Sequence, residues 1–596
     1  MPLRFFRSGI FFILELWRDF QRDLYYTQAV KTYEKGTLKK IHNIHVLNLF
    51  GSDLERATQH GHLLKDEIRK GAIPYLSNKL AFELQNDGPL KNHPLLQKIV
   101  LFYVNFFVFR KLNRNIPKEY VEIMKAILEP SGVDYQQGLN AASMPDAMSI
   151  LSKAVGKHVF PNIEPQTFGC TSFVCFHEMS ENGEVMQGRN LDFPVSHYWE
   201  QCPVVIYHHP DRGQRYCSIT TAGVHVPGVT GFNESGLILA IHQLFSKRAR
   251  ANGVPIVLIC AEIIRNAKSL EEAIDIAKSM KRAADWAVLV TDTKQKKSAV
   301  IETSHNDVFV RYAKEGLIAQ SNYCASPRIK KDEIFFNWTT AEDNYYRHER
   351  LIRRCHELKG KLNEKEGIKL LGDHFDLLTH QTRGVGRTVS TIYNVQSAFF
   401  RPEKKKFWVS TGKAPSNLSS FLELSMDWDA SQNISETEFS TLEPNGFSKT
   451  KAFQAVQYYT RAYDHFSNTK DFRHSIEELI KAVQIEPKAF AYQMALGFMY
   501  IKIHEFEMAE STLKNVLSEI EMTPHENALC SLFLGRALDL QGKRQKAKDI
   551  YTEYVNDQRL DDKIKAAFHG NFRKPYRLSD IDKTIFQFIF SDFLKY

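Results

Sequence analysis

Alternation of apolar and polar positions dominates the middle of the chain, and helical spacing dominates its two flanks. Residues from about 45 to 150 read as mostly helical, with apolar residues at helical intervals through 54–68. Ile99 to Phe109 is nearly all apolar and too short to span a bilayer, so it reads as a buried helix. Near residue 167 the period changes to two. Thr167 to Cys175 sets β-branched, aromatic and sulfur side chains against small ones, as a strand does. Ser180 to Glu184 then supplies a turn, and Val185 to Phe193 resumes as a second strand. A hairpin folded about Asn182-Gly183 has paired residue numbers that sum to about 365. That register sets Asp192 opposite Phe173 and Arg189 opposite Phe176.

Further strands are expected over 204–208, 216–220, 286–290, 298–302, 317–323, 391–394 and 406–410, with a strand–turn–strand at Gly228 to Leu237. Helices over 258–267 and 270–280 interrupt them, the second opened by a Ser269 cap with Glu272 three residues on. Another begins at Asn344 and carries Arg350 and Arg353 on one face. From about 413 to 450 the composition shifts to Ser, Asn, Thr and acidic residues, which reads as a linker. Beyond it the pattern is helical and repeats. Leu496-Gly497, Tyr500, Ala509 and Leu513 recur 38 residues later as Leu534-Gly535, Leu538, Ala547 and Tyr551.

Composition narrows the class. At 43% hydrophobic and 25% charged, the 596 residues are an ordinary globular mixture with room for two or three domains. The net charge of +9 is modest for this length and scattered, which argues against nucleic-acid binding. Eight cysteines make no disulfide scaffold and show no paired zinc spacing, so no cofactor or metal is expected. A reducing, cytoplasmic setting is the default for such cysteine usage. At the N-terminus Arg4 and Arg7 precede Ile10 to Leu14, which reads as an amphipathic helix either docked on the protein or lying on a membrane surface in peripheral contact. His60 and His62 lie two apart on a helix, point in different directions, and read as packing residues.

Chemistry concentrates at the hairpin, which brings Cys170 near Arg189 and Asp192. Buried thiols and Arg–Asp pairs are common without catalysis. Gly169, immediately before the thiol, is the flexible residue that a thiol attacking its own upstream carbonyl would need.

Gly169-Cys170-Thr171-Ser172 followed by Gly188-Arg189-Asn190-Leu191-Asp192 resembles the N-terminal-nucleophile hydrolases, in particular isopenicillin-N acyltransferase-like proteins, with choloylglycine hydrolases and penicillin V acylases more distant. The Gln59-His60-Gly61 helix and the Asn233-Glu234-Ser235-Gly236-Leu237 turn fit the same likeness. The resemblance implies an α+β fold with a four-layer αββα core and cleavage before Cys170, whose freed α-amine then serves as base. It implies that Asp192 orients the amine and Arg189 supports thiolate or substrate, while Asn322 and the position occupied by Gln243 aid the oxyanion. It also implies an active-site Arg on the helix after Asn344, best matched by Arg350, with Arg347 or Arg353 as alternatives. The substrate implied is a small acylated amide or acyl-CoA-like thioester.

The repeats resemble tetratricopeptide repeats, which implies a protein or peptide partner or docking on the chain's own domain. The chain is accordingly divided into an N-terminal helical segment (1–169), a catalytic core (170–412), a linker (413–450) and helical repeats (451–596). Two other readings stay open: an inert scaffold whose repeats do the binding, and a cysteine peptidase with a Cys–His pair, for which His177 lies too far along the strand.

Overall fold

A computed structural model describes residues 30–86, 90–155, 169–193, 198–334, 338–432, 440–444, 446–584, 586 and 588. The amphipathic stretch at Ile10 to Leu14 and the beginning of the strand expected from Thr167 lie outside the described residues.

In chain order the strands are β1 (Lys31–Tyr33), β2 (Gly36–Ile41), β3 (Ile44–Gly51), β4 (Thr171–Cys175), β5 (Met186–Asp192), β6 (Pro203–Pro210) and β7 (Tyr216–Thr221). They continue with β8 (Thr230–Asn233), β9 (Leu237–Gln243), β10 (Trp286–Asp292), β11 (Lys297–Thr303), β12 (Val308–Tyr312) and β13 (Leu317–Gln320). After a small pair, β14 (Phe375–Asp376) and β15 (Gln381–Thr382), come β16 (Asn394–Arg401), β17 (Lys406–Ser410), β18 (Phe421–Ser425) and β19 (Thr441–Leu442). One sheet runs β1-β2-β3-β6-β7-β8-β9-β10-β11-β12, and the other runs β13-β4-β5-β16-β17-β18-β19.

Both sheets are apolar on both faces, so each must be covered twice. Between them, Val205, Tyr207 and Phe232 of the first sheet meet Phe400, Phe407 and Leu422 of the second. The outer face of the first sheet packs Val204, Leu239 and Val288 beneath the helices Ile256–Asn266 and Leu270–Ser279. The outer face of the second packs Phe173, Phe399 and Trp408 against Leu351 and Cys355 of the helix Trp338–Glu357 and Ile368 of Glu364–Leu371.

Four features differ from the sequence reading. First, the N-terminal segment is not purely helical: β1–β3 enter the larger sheet, with β3 parallel to β6. Second, the β4–β5 register sums to 361, as in Ser172 opposite Arg189. Asn182 and Gly183 do form a tight turn at φ 58° and 65°. An additional turn at His177–Met179 consumes residues on the incoming side and displaces the ladder. Gly169, not Phe173, therefore faces Asp192, and its N–H donates to Asp192 O at 2.9 Å. Third, the segment read as a linker contains β18 and β19, because Phe421, Leu422 and Leu424 are buried among its polar neighbours. Fourth, the apolar stretch at 99–109 buries only one face.

The helices from Lys451 onward pack successively, and the offset seen in the sequence has a steric cause. A Cβ at Gly497 would lie 2.8 Å from Leu513, and one at Gly535 would lie 2.3 Å from Tyr551, so glycine lets each helix pair approach. These helices are not set apart from the rest. Glu526, buried at the start of Pro524–Leu540, accepts from Arg383 at 2.7 Å and Arg387 at 3.2 Å. Lys470 pairs with Glu83 at 2.8 Å on the N-terminal side.

Candidate active site

Cys170 is fully buried at the start of β4, where its backbone N–H donates to Asn322 Oδ1 at 2.7 Å. Asn322 follows β13, the strand hydrogen-bonded to β4, so sheet pairing carries the amide to the cysteine. Its Nδ2 donates to Gln243 O at 2.9 Å, at the end of β9 in the other sheet. Two donors, Cys170 N–H and Arg347 Nη2 (3.3 Å), converge on Asn322 Oδ1, which sets the orientation of the amide.

Arg347 is the cation that reaches this point. Fully buried on the helix Trp338–Glu357, it donates to Asp343 Oδ2 at 2.7 Å, Asn344 Oδ1 at 2.9 Å and Cys170 O at 3.3 Å. Arg350, the first choice from the sequence, lies one turn further along. It forms a bidentate pair with Asp373 at 3.1 and 2.7 Å and stacks over Phe375. That geometry places Arg350 outside the cluster and Arg347 inside it. Gln243 contributes its backbone carbonyl; its side chain donates to Pro145 O at 2.9 Å and Ser149 Oγ at 3.1 Å.

Asp192 ends β5 and accepts from Asn394 Nδ2 at 2.7 Å, beside the register shift between Asn394 and Gln396. Asn394 is itself locked, its Oδ1 accepting from Ser416 Oγ (2.8 Å) and Asn417 N (2.9 Å). Burial raises the Asp192 carboxyl to about 7, against the opposing pull of Arg347, Asn394 and Arg189. Burial likewise pushes the Cys170 thiol up, while the Arg189 guanidinium pulls it down and Asp192 adds to the rise. Arg189 donates through Nη1 to Asn190 O at 2.8 Å. Its Nε and Nη2, like Asp192 Oδ2, are buried with no hydrogen-bond partner among the described residues.

Other candidates resolve as structure. His242 Nε2 lies 2.9 Å from Ser172 Oγ and burial holds the ring neutral. His60 is buried with Nδ1 at 3.1 Å from His225 Nδ1, and burial depresses it to about 3. Among the described residues, no group of three His, Cys, Asp or Glu side chains is disposed to hold a metal ion. All eight cysteines are buried free thiols.

An apolar cleft of about 840 Å³, its open mouth included, opens beside this cluster. Its walls include Ile73, Leu76, Ile123, Leu139, Phe193 and Val257. Phe193 follows Asp192 directly, and Cys170 belongs to the same apolar cluster as these walls. Asn394, Asp343 and Tyr393 were not singled out by sequence reasoning. The one available signal was Asn394, at the end of an expected strand, where a polar residue among apolar ones marks a special position.

The geometry defines a buried thiol whose nitrogen is held by Asn322, with Arg347 and Asp192 each held by side chains nearby. Comparison with known proteins gives a partial match. Residues 179–415 match the family model described as acyl-coenzyme A:6-aminopenicillanic acid acyl-transferase, a span that includes Arg189, Asp192, Asn322 and Arg347 but begins after Cys170. An uncharacterised protein of Archaeoglobus fulgidus is 23% identical over 377 residues, covering 58% of this chain and 61% of that protein. Two Dictyostelium discoideum proteins, dcd1B and dcd1A, are each 22% identical, over 47% and 39% of this chain and 54% and 52% of their own lengths. The chain thus spans little more than half the length of these relatives.

Proposed function

We propose that this chain is a self-processing N-terminal-nucleophile enzyme that cleaves or transfers an acyl group at an amide or thioester through Cys170. The observation that carries the reading is the hold on the Cys170 nitrogen by Asn322 Oδ1 at 2.7 Å, with Arg347 behind it. Any buried backbone N–H needs an acceptor. What suits this one to a nucleophile whose own amine is the base is that its acceptor is a side chain braced in turn by a buried Arg.

In the intact chain that nitrogen is an amide and cannot act as base. Asp192, raised to about 7, is the group suited to take the thiol proton. Sγ attacks the Gly169 carbonyl carbon, the C–N bond breaks as the nitrogen gains a proton, and water cleaves the resulting thioester. The free α-amine, with an ordinary pKa of about 7.7 to 8.0, then accepts the thiol proton in each turnover. Sγ bonds to the substrate carbonyl, the leaving group departs with the proton, and water or an amine releases the acyl group. Asn322, expected from the sequence to donate to an oxyanion, instead has its Nδ2 on Gln243 O and its Oδ1 on the Cys170 nitrogen, so it positions the amine, while Asp192 orients it and Arg189 supports the thiolate. The acyl group rests in the apolar cleft, whose walls offer a hydrocarbon or aryl group burial worth roughly 25 cal/mol per Å².

Intact-mass analysis of the purified protein tests this. Cleavage before Cys170 yields chains of 169 and 427 residues (596 − 169) that stay associated, and Cys170→Ala leaves a single 68.8 kDa chain. A wild-type protein that stays whole yet hydrolyses amides would overturn the α-amine mechanism.

A further inference from the structure

The helical stretch beginning at Pro94–Val104 and continuing through Asn105–Phe109 is apolar apart from Gln97, Lys98 and Asn105, but among the described residues protein covers only one of its faces. Val104, Val108 and Phe109 face inward and are buried. On the other side Leu95 is 72% exposed, Ile99 54%, Phe102 65% and Phe106 40%. A helix this apolar belongs in a core or against lipid, and among the described residues this one is only half enclosed. Solitary exposed apolar residues are ordinary; an aligned row of this size marks a contact surface.

Charge identifies the occupant. Between Asp87 and Glu119 the sequence holds six basic residues and no acidic one. Lys91 is taken up by Asp582 at 2.9 Å, but Lys98, Arg110, Lys111 and Arg114 are exposed around the apolar row. Arg110 lies over Phe106 at 4.9 Å and Lys111 over Phe107 at 5.6 Å, so the cations sit beside the rings rather than elsewhere on the surface. A second copy docked symmetrically would set this basic rim against itself. Residues 1–29, with four basic and three acidic side chains, offer no complementary charge either.

We propose that this face docks on an anionic bilayer, with the aromatic row in the acyl–headgroup boundary and the basic rim on the headgroups. Sixteen residues give the helix about 24 Å of length lying in the plane of the interface. Among the described residues no helix is long and apolar enough to cross a membrane, so contact is peripheral. The helix packs on Ala72–Asn86 and Tyr135–Val155, two of the helices that wall the apolar cleft. Docking there sets the cleft next to the lipid, where acyl chains are concentrated. The inference does not depend on the chemistry at Cys170.

Flotation of the full-length protein with vesicles tests it, using phosphatidylcholine alone and with about one third phosphatidylserine. The protein should float with the anionic vesicles and bind at least about tenfold more weakly to neutral ones or in about 0.5 M salt. The double variant Phe102→Ser/Phe106→Ser should lose at least about tenfold in binding with an unchanged melting temperature. In Phe102→Trp, emission should be that of an exposed indole in buffer, shift to the blue on anionic vesicles, and be quenched by brominated acyl chains. Absence of vesicle binding overturns the proposal. So does an indole already shielded in buffer, with light scattering then telling a second copy from cover by the chain itself.

Discussion

Exchanging the roles of Arg347 and Arg350 is the sharpest available perturbation, because the two lie one helical turn apart and only one touches the cysteine. Arg347 is fully buried, paired with an equally buried Asp343. Its loss alone leaves an uncompensated internal carboxylate, a cost of about 3–5 kcal/mol. Arg350 and Asp373 retain 12% and 14% exposure, so water partly compensates and breaking their bidentate pair costs less, about 1.5–3 kcal/mol. Stability must therefore be separated from chemistry. Removing both charges in Asp343→Asn/Arg347→Gln should restore the fold to within about 1–2 kcal/mol of wild type. It does not restore the grip on Asn322 Oδ1 and Cys170 O, and misplacing a nucleophile by about 1 Å costs on the order of 100-fold. Thermal melting and the time course of chain cleavage by intact mass should thus diverge for the double variant: a near-normal melt with at least about 100-fold slower processing. Arg350→Met should melt slightly early and process normally. Normal processing in the double variant, or arrest in Arg350→Met, would refute the assignment.

Three other outcomes follow. The Asp192 carboxyl, held at about 7, is protonated below that pH, so processing should slow as pH falls through 7, and Asp192→Asn should be slow throughout with no limb there; a wild-type limb persisting in the variant would assign it to another group. A Cβ at residue 169 would lie 2.4 Å from Tyr393 Oη and 3.1 Å from Cζ, so Gly169→Ala should impair processing and adding Tyr393→Phe should recover most of it, as followed by intact mass; equal impairment in both would point to backbone freedom instead. Glu526→Gln leaves Arg383 and Arg387 short of a buried partner and should destabilise the protein by about 3 kcal/mol in denaturant melts, against about 0–1 kcal/mol for Lys514→Ala at an exposed pair.

What could be read from the sequence was what local period and covalent nearness encode. The β4–β5 hairpin, the turn at Asn182-Gly183 and the approach of Arg189 and Asp192 to Cys170 needed no long-range information. The register did, because the His177–Met179 turn carries no alternation signal. Arg347, Arg350 and Arg353 recur every three residues along one helix, so spacing could not choose among them; what chose was which of them is buried beside the point where β13 delivers Asn322. β2 was hidden by Lys39 and Lys40, half-buried yet charged. The apparent linker misled because its Ser, Asn and Thr outnumber the three apolar residues that pack.

Burial gives Asp192 two duties in the proposed reaction. In the intact chain the Cys170 nitrogen offers one N–H, and Asn322 takes it, leaving Asp192 Oδ2 without a hydrogen bond among the described residues. An ionised carboxylate so placed is costly, which is why its pKa rises to about 7 and why it can accept a thiol proton. Cleavage turns that nitrogen into an ammonium or amine with further N–H donors. One remains on Asn322, and another becomes available to the unsatisfied carboxylate oxygen. The nearby positive charge then draws the Asp192 pKa down again, so the group that serves as base before cleavage stays ionised afterwards and orients the new base. The same desolvation that makes the uncut site electrostatically incomplete is what cleavage relieves, and this favours the processed state without any rearrangement of the two sheets.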